Sequence, residues 1–276
     1  MRMSGVLLTL ILLLGCAATP GEKAGATPTN FDDAPLERVL STYVNASGRV
    51  NYAALKQHRG DLDRMIEEIE RASPASAPRL FPGRDAQLAY WINAYDAWVL
   101  RIVVDHYPTS SITKIGLVPF SAFFVMKVEL GGQKMTLRSL ENDIIRGQFH
   151  DPRIHFAINC ASESCPPLAP RVYRPETLNQ QLDEAARAFI NDNRNVTLDE
   201  AGKKIVLSKI FDWYASDFKD YLAAHGHQDA TVVDYLKLYS TPERRQVLEK
   251  LSGAKVSYYD YDWGLNEQPR GRSAGE

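Results

Sequence analysis

Cysteine is scarce in this sequence, and the patterns that mark several common classes of protein are missing. Only three of the 276 residues are cysteine, and no group of cysteine and histidine residues has the spacing of a usual zinc site. The sequence contains no glycine-rich nucleotide-binding motif and no serine-nucleophile elbow. We therefore expect neither a metal ion nor a cofactor.

The sequence lacks clusters of residues with the same charge. The 32 Lys and Arg residues nearly balance the 34 Asp and Glu residues, which leaves a formal net charge of −2. Basic residues are dispersed, and the pair Arg244-Arg245 lies between Glu243 and Glu249. This distribution excludes nucleic acid as an expected partner.

An apolar run long enough to cross a bilayer is also missing, but a shorter run lies near the N-terminus. Arg2 precedes the run Val6 to Leu14, which has the length of a signal-peptide core. The run ends in Leu13-Leu14-Gly15-Cys16, which resembles a lipobox. We expect cleavage before Cys16 and modification of this residue with acyl chains such as palmitate, which would anchor the protein to a membrane. The alternative is an ordinary secretory signal with a chance cysteine.

The composition of the chain ends predicts the domain organisation. Residues 1–15 are expected to be a lipoprotein signal peptide, residues 16–30 a flexible tether rich in Ala, Thr, Pro and Gly, and residues 269–276 a disordered tail. Residues 31–268 contain no low-complexity break and no internal repeat, which favours a single globular domain. Ala17 follows the cysteine, as in lipoproteins that are sorted to the outer membrane, so we expect the domain to face the periplasm there.

Hydrophobic periodicity predicts a mainly helical α+β domain. The strongest helical pattern runs from Asp85 to His106. Two short antiparallel hairpins are predicted, one around Gly131-Gly132 and one around Gly202. The segment Arg153 to Asn159 alternates apolar with less apolar residues, which predicts a central strand. Further helices are predicted at residues 35–45, 53–72, 136–146, 175–190, 211–221, 231–239 and 242–251.

Several segments carry a distinctive pattern of aromatic, amide and cysteine residues. They include Tyr90-Trp91-Ile92-Asn93-Ala94-Tyr95-Asp96-Ala97, Arg153-Ile154-His155-Phe156-Ala157-Ile158-Asn159-Cys160-Ala161-Ser162, Cys165-Pro166-Pro167-Leu168, Ser208-Lys209-Ile210-Phe211-Asp212-Trp213-Tyr214 and Tyr261-Asp262-Trp263-Gly264-Leu265-Asn266. In this order they resemble the bacterial, exported lipoprotein branch of the family catalogued as domain of unknown function 547. The resemblance implies no reaction, because the family has none assigned. Asp96 departs from it, since the family usually has a second asparagine there.

Cys160 and Cys165 are the two cysteines of the predicted domain, and they support two alternatives. In an oxidising compartment, a local disulfide between them is the default expectation. In the other alternative, Cys160 is a nucleophile, His155 is its base, and Glu141 is a candidate partner of His155. If the predicted strand were straight, His155 and Cys160 would lie about 16 Å apart at ~3.3 Å per residue. They can meet only if the chain bends sharply after Asn159.

Four further polar residues, Asn93, Asp96, Asn159 and Ser164, are candidates for lining a site. His155 and Asn159 would share one face of the predicted strand, where polar side chains need partners or a cleft. Asn93 and Asp96 are three residues apart on the long helix and would reach the end of that strand. For each, the structural alternative is a buried hydrogen-bond network or satisfaction of loop backbone.

Two classes of function therefore remain open. The first is a cell-envelope lipoprotein of unassigned activity, which binds an envelope protein or glycan or has a structural role. The second is a cysteine-dependent hydrolase or acyl transferase that acts on envelope peptide, lipid or glycan. The enzyme requires a free thiolate at Cys160 and a cleft shared with a histidine, whereas the binding protein is compatible with a Cys160–Cys165 disulfide.

Overall fold

Helices dominate the computed structural model, which describes residues 28–269, and the predicted α+β class is confirmed. The α-helices of the described residues are α1 (Ala34–Tyr43), α2 (Tyr52–Gln57), α3 (Gly60–Arg71), α4 (Gly83–His106), α5 (Ser121–Phe124), α6 (Leu137–Ser139), α7 (Gly147–Phe149), α8 (Leu178–Asn191), α9 (Ile210–Trp213), α10 (Ala215–Ala224), α11 (Val232–Tyr239) and α12 (Pro242–Lys250). Short 3-10 helices occupy Pro78–Leu80, Ile112–Lys114, Pro152–Phe156 and Pro175–Thr177, and a π-helix occupies Leu140–Arg146.

Both predicted hairpins are present. Strands β1 (Val128–Leu130) and β2 (Gln133–Met135) pair antiparallel, and Gly131 and Gly132 supply the positive φ angles of their turn. Strands β3 (Val196–Asp199) and β4 (Lys204–Leu207) also pair antiparallel. A fifth strand, β5 (Lys255–Tyr258), adds to β4 in parallel orientation. This parallel pairing was not predicted, since it joins segments that are about fifty residues apart in sequence.

The long helix α4 is buried on nearly every side, as its all-round apolar composition dictates. It begins after Pro82 and ends before Tyr107, whose extended backbone follows from the proline at position 108. The predicted helix over residues 85–106 is therefore confirmed, with two more residues at its start. Because α4 packs against α2 and α3, it forms the centre of the first of two hydrophobic cores.

A second core is built from aromatic rings of the C-terminal half. Phe156, Phe189, Phe211 and Phe218 pack together with ring centroids 5.1–5.9 Å apart. The segment Pro152–Phe156 joins the two cores, since Ile154 belongs to the first and Phe156 to the second. This junction places His155 between the cores.

The predicted central strand at Arg153–Asn159 is wrong, because the segment forms a 3-10 helix at Pro152–Phe156. Residues 154–159 are all buried, so the apparent alternation of apolar and polar faces does not reflect one exposed side. The Asp151 side chain accepts a hydrogen bond from the backbone of Arg153 at 3.0 Å, and proline occupies the first helical position. A cap followed by proline favours the start of a helix, and it outweighs the alternation here.

Some predicted helices are divided into two shorter helices in the structure. The predicted helix at 53–72 is two helices, α2 and α3, because the chain leaves helical geometry at His58. The predicted helix at 211–221 is likewise divided into α9 and α10. Thr136 caps α6 through the backbone N–H of Ser139, as predicted, but the chain then continues as the π-helix Leu140–Arg146.

The predicted signal peptide, Cys16 and most of the predicted tether lie outside the described residues, as does the predicted tail beyond residue 269. Within residues 28–269, no helix combines the length and apolar character needed to cross a membrane.

Candidate functional site

A cavity of about 550 Å³ is lined by residues of both cores. Eight of its lining side chains are aromatic, and four polar side chains and the two cysteines complete most of the wall. We call it the aromatic cavity. Its aromatic residues are Tyr95, Phe120, Phe123, Phe124, Trp213, Tyr214, Tyr261 and Trp263; its other residues are Arg138, Glu141, Asn142, His155, Ile158, Cys160, Cys165, Pro166 and Ile210.

Two aromatic side chains form a rim through which the aromatic cavity opens to solvent. Phe124 is 52% exposed and Trp213 is 45% exposed, which is unusual for large apolar side chains that also line a cavity. Trp213 packs against Tyr261 and Trp263, with ring centroids 4.7 and 5.9 Å away. Tyr261 and Trp263, which follow the end of β5 at Tyr258, thus supply part of the cavity wall.

His155 is held inside the wall by a carboxylate and an aromatic ring. Its Nε2 lies 2.8 Å from Oδ2 of Asp217, and its ring stacks on Tyr214 with a centroid distance of 3.8 Å. Burial lowers the pKa of His155 and outweighs the opposing effect of Asp217. The imidazole is therefore neutral at pH 7 and donates its Nε2–H to Asp217.

The ionised state of Asp217 fixes the tautomer of His155. Burial alone would raise the pKa of Asp217, but hydrogen bonds from His155 and Arg146 outweigh burial and hold this pKa well below its usual value. Arg146 donates to both carboxylate oxygens at 2.8 Å. Since Nε2 carries the proton, the buried Nδ1 of His155 is a hydrogen-bond acceptor, and it has no partner among the described residues.

Glu141 projects from the π-helix into the aromatic cavity. Its Oε1 accepts a hydrogen bond from the Tyr214 hydroxyl at 2.6 Å, and its Oε2 accepts one from the Tyr95 hydroxyl at 3.2 Å. Burial and the nearby carboxylate raise the pKa values of both tyrosines, so their hydroxyls remain protonated donors. π-helical turns are frequent at functional sites, because they displace side chains from the regular helical pattern.

The expectation that Glu141 pairs with His155 is wrong. The hydrogen-bond partner of His155 is Asp217, on α10, which is 62 residues away in sequence. Glu141 is engaged by the two tyrosines instead. Both side chains nevertheless line the same cavity, together with Cys160. The three residues of the predicted nucleophile, base and carboxylate are therefore brought together, although not as a hydrogen-bonded chain.

Cys160 and Cys165 form the predicted disulfide, with Cα atoms 6.3 Å apart. In this form Cys160 has no thiol and cannot act as a nucleophile. We call residues 160–165 the disulfide loop. Both cysteines are half-buried and line the aromatic cavity, where the Tyr261 hydroxyl lies 3.3 Å from Sγ of Cys160 and 3.4 Å from Sγ of Cys165.

The Asn159 side chain holds both ends of the disulfide loop. Its carboxamide oxygen accepts from the backbone of Ala161 at 2.8 Å, and its nitrogen donates to the carbonyl of Pro166 at 2.7 Å. Ala161 has a φ of 60°, in the left-handed region that residues other than glycine rarely adopt. His155 and Cys160 line one cavity because Pro152–Phe156 is a 3-10 helix and not a straight strand, and the bend at Ala161 then turns the disulfide loop after Cys160.

A second, polar cavity of about 300 Å³ shares part of its wall with the aromatic cavity. Cys165 and Pro166 line both. Arg49 donates to Oε1 of Glu163 at 2.6 Å within it. The lining of this polar cavity consists of Ser47, Gly48, Arg49, Asn159, Ser162, Glu163, Ser164, Cys165, Pro166, Pro167, Arg194, Asn195, Asp262 and Asn266.

The four residues predicted to line a site divide into two pairs. Asn159 and Ser164 line the polar cavity, whereas Asn93 and Asp96 line neither cavity. Asn93 makes two hydrogen bonds to the backbone of Tyr173, at 2.8 and 2.9 Å. Oδ1 of Asp96 accepts from the backbone of Asn159 at 2.8 Å. Asn93 and Asp96 thus form hydrogen bonds with the backbone of loop residues and have the structural role that was the alternative to lining a site.

Asp96 stands where the family resemblance implies an asparagine, and its carboxyl is buried. Complete burial raises its pKa well above the usual value, although the N–H of Asn159 opposes this. A neutral carboxyl has one acceptor oxygen and one donor group, as a carboxamide does. Aspartate at this position therefore differs in charge from asparagine only when its carboxyl is ionised.

Sequence reasoning missed Asp217, Arg146, Tyr214 and Tyr261. Tyr214 and Tyr261 lie in segments that carry the family resemblance, and this position in the sequence could have marked them as site residues. Asp217 and Arg146 are on different helices, and no local pattern connects either to His155. Among residues 28–269, no group of three or more His, Cys, Asp or Glu side chains is arranged to hold a metal ion.

Comparison with known proteins identifies one family. Residues 79–190, about two fifths of the chain, match the family described as "Protein of unknown function, DUF547". This stretch contains α4, His155 and both cysteines of the disulfide loop. No curated protein and no solved structure matches the chain. The match therefore supports the resemblance to the DUF547 family, whose description assigns no function.

Proposed function

We propose that this protein is a cell-envelope lipoprotein that binds a small amphipathic molecule in its aromatic cavity. Acyl chains on Cys16 would anchor it to the outer membrane, with the domain facing the periplasm. The observation that carries the binding proposal is a cavity of about 550 Å³ that combines eight aromatic side chains with two hydrogen-bond acceptors, the half-buried Glu141 and the buried Nδ1 of His155.

The dimensions and wall of the aromatic cavity support a ligand with an apolar body. Cavities that hold small molecules have volumes of about 300–1,000 Å³ and are mostly apolar, with a few polar groups that orient the ligand. The rings of Trp213, Tyr261 and Trp263 pack with centroid distances of 4.6–5.9 Å and offer flat apolar faces. The half-exposed Phe124 and Trp213 give such a ligand access.

The polar groups of the aromatic cavity favour a ligand end that donates hydrogen bonds. The carboxylate of Glu141 and the unpartnered Nδ1 of His155 are both acceptors. Arg138 lies over the ring of exposed Phe124, with its guanidinium carbon 5.1 Å from the centroid, so the cation is at the rim. A hydroxyl, amide or ammonium group fits this arrangement better than a carboxylate.

Competition binding tests the chemistry of the ligand. The protein with Cys16→Ser is purified without detergent, and 1-aminoanthracene is used as a fluorescent probe of the cavity. Dodecylammonium, dodecanol and dodecanoate have equal chain lengths and different polar ends. We expect dodecylammonium and dodecanol to displace the probe at lower concentration than dodecanoate, and Glu141→Gln to reduce the preference for the cation. Glu249→Gln, an exposed carboxylate on α12, is the control. Equal displacement by all three, or no probe binding, contradicts the proposal.

Metabolic labelling tests the anchor. Cells that express the full chain are supplied with labelled palmitate, and Cys16→Ser is compared with the unsubstituted protein. We expect the label and the membrane association to depend on Cys16. An unlabelled wild-type protein, or equal membrane association of both proteins, contradicts the lipoprotein part of the proposal and leaves the binding part intact.

A cysteine-dependent hydrolase or acyl transferase is the second candidate. The observation that favours it is that Cys160, His155 and Glu141 line one cavity. It requires reduction of the disulfide, because the bonded sulfur is not nucleophilic. After native reduction, p-nitrophenyl butyrate hydrolysis that is lost in both Cys160→Ala and His155→Gln, but retained in Cys165→Ala, would support it. Hydrolysis that is unchanged by these substitutions would exclude it.

A further inference from the structure

The disulfide loop lies in the wall of a cavity that opens to solvent, unlike a disulfide enclosed in a core. Cys160 and Cys165 are half-buried, and both line the aromatic cavity that opens at Phe124 and Trp213. Cys165 also lines the polar cavity. We therefore expect a thiolate that enters the aromatic cavity to reach the sulfur–sulfur bond without unfolding of the domain.

The disulfide loop is held in place by contacts other than the disulfide. The Asn159 carboxamide joins Ala161 to Pro166, and Glu163 donates its backbone N–H to the carbonyl of Gly264 at 2.8 Å. The backbone N–H of Asn266 donates to Ala161 at 3.2 Å. The disulfide itself spans a sequence separation of only 5. The two sulfurs are thus expected to remain close together after reduction, which favours re-oxidation.

Two hydrogen-bond donors converge on Sγ of Cys165. The backbone N–H of Cys160 donates to Sγ of Cys165 at 2.9 Å, and the Tyr261 hydroxyl donates to the same sulfur at 3.4 Å. The Ser162 hydroxyl lies 3.0 Å from Sγ of Cys160 and donates to the Tyr261 hydroxyl at 3.0 Å, which leaves the single proton of Tyr261 for Sγ of Cys165. Because disulfide sulfurs carry no proton, they can only accept. Donors in these positions stabilise a thiolate more strongly than a thiol, and a stabilised thiolate leaves a disulfide more readily.

From these contacts we infer that Cys160–Cys165 is a redox-active disulfide, which oxidises dithiols that carry apolar or aromatic neighbours and enter through the aromatic cavity. The inference rests on the geometry of the disulfide loop and is independent of the proposed amphipathic ligand.

The exchange is balanced in two steps. A thiolate of the dithiol attacks Sγ of Cys160, the Cys160–Cys165 bond breaks, and the electron pair leaves on Sγ of Cys165, where the N–H of Cys160 and the Tyr261 hydroxyl stabilise it. The second thiolate of the dithiol then attacks the substrate sulfur of the mixed disulfide and releases Cys160. The substrate becomes a disulfide, two electrons pass to the protein, and the two protons of the dithiol end on Cys160, Cys165 or solvent.

Equilibration with thiols under native conditions tests the inference. The protein with Cys16→Ser is incubated with mixtures of reduced and oxidised glutathione, its thiols are trapped by alkylation, and the mass is measured, while circular dichroism reports the fold. We expect reversible reduction with the fold retained. Tyr261→Phe removes one donor to a developing charge and is expected to lower the equilibrium constant for reduction about tenfold. Tyr258→Phe, a half-buried tyrosine of β5, is the matched control.

Two results would overturn the inference. If the disulfide resists dithiothreitol until denaturant is added, or if reduction unfolds the protein, the bond is structural. The rate of reduction by a dithiol peptide with phenylalanine beside each cysteine is compared with the rate for a peptide in which serine replaces phenylalanine. A faster reaction of the phenylalanine peptide is expected, and equal rates would contradict entry through the aromatic cavity.

Discussion

The aromatic cavity and the polar cavity share the wall formed by Cys165 and Pro166, yet their hydrogen bonds are arranged in opposite ways. In the polar cavity, Arg49 is paired with Glu163, and Asn159 is bonded to Asn266 and to backbone on both sides of the loop. In the aromatic cavity, the Nδ1 of His155 lacks a partner within residues 28–269. A binding site is therefore better indicated by polar groups that lack a partner than by the number of polar groups.

The polar cavity is therefore best understood as the support of the disulfide loop. Tyr52 donates its hydroxyl to Asn266 at 2.7 Å, and Asn266 donates to Asn159 at 3.2 Å. These side chains are buried, so each hydrogen bond also removes the penalty for an unpaired polar group. Substitutions around the polar cavity should mainly change stability, whereas substitutions around the aromatic cavity should mainly change binding and reactivity.

Removal of the Asn159 side chain gives the largest expected effect. Asn159→Ala leaves the N–H of Ala161 and the carbonyl of Pro166 without their present partners in a buried region, so we expect a loss of about 3 kcal/mol in the free energy of unfolding. Urea unfolding measures it. Ser164→Ala, at a half-buried position of the same cavity, is the control and should cost less. A loss for Asn159→Ala no larger than the control would contradict the supporting role.

Asp217→Asn is expected to have the next largest effect, because this carboxylate does not line the aromatic cavity but holds Arg146 and His155 in place. The substitution replaces an ion pair with Arg146 by a neutral contact, and we expect a loss of about 2 kcal/mol at pH 7. Because the folded-state pKa of Asp217 is depressed, its contribution is present above the unfolded pKa and disappears as the pH falls through the folded pKa. The difference between the two proteins should therefore narrow on acidification below about pH 4. A difference that stays constant down to pH 2 would show that ionisation is not involved.

Asp96→Asn should change stability in the opposite direction, at a buried carboxyl that accepts a hydrogen bond from the backbone of Asn159. Because burial raises the folded-state pKa of Asp96, the contribution of this residue to stability is full below the unfolded pKa and is lost as the pH rises through the folded pKa. Asparagine keeps the acceptor for the N–H of Asn159 without this loss. We expect Asp96→Asn to stabilise the protein at pH 8 by more than about 1 kcal/mol, the equivalent of one pKa unit, and to have little effect at pH 3.5.

Thermal and urea unfolding across this pH range measure the effect of Asp96→Asn. Asp229→Asn, at an exposed position, is the control and should change stability little at either pH. If Asp96→Asn is destabilising at pH 8, the carboxyl is ionised in the native state and satisfied by more than the single N–H of Asn159.

Parts of the fold that depend on local signals could be predicted from the sequence. The helix α4 follows from an apolar pattern sustained over 24 residues, and the β1–β2 turn follows from Gly131-Gly132. The disulfide follows from two cysteines that are close in sequence. In each case the residues that decide the structure are neighbours along the chain, so periodicity and spacing contain the necessary information.

The segment around His155 could not be predicted in the same way. Residues 154–159 are buried between two cores, so alternation of residue types no longer reports a face, and only the Asp151 cap and the following proline favoured a helix. The pairing of His155 with Asp217 and of Cys165 with Tyr261 joins positions 62 and 96 residues apart. Such contacts depend on how the two cores dock, which no local pattern records.

Loss of the Arg49–Glu163 ion pair in the polar cavity should have the smallest effect on the free energy of unfolding. Glu163→Gln removes the negative partner of Arg49, but both side chains are about 30% exposed, at 28% and 32%. Ion pairs this accessible contribute about 0–1 kcal/mol, and the value falls at high salt. We therefore expect Glu163→Gln to lower the free energy of unfolding by less than Asn159→Ala does, and by less in 1 M NaCl than in dilute buffer. A loss comparable to that of Asn159→Ala would mean that charge, rather than the buried amide network, holds the disulfide loop in place.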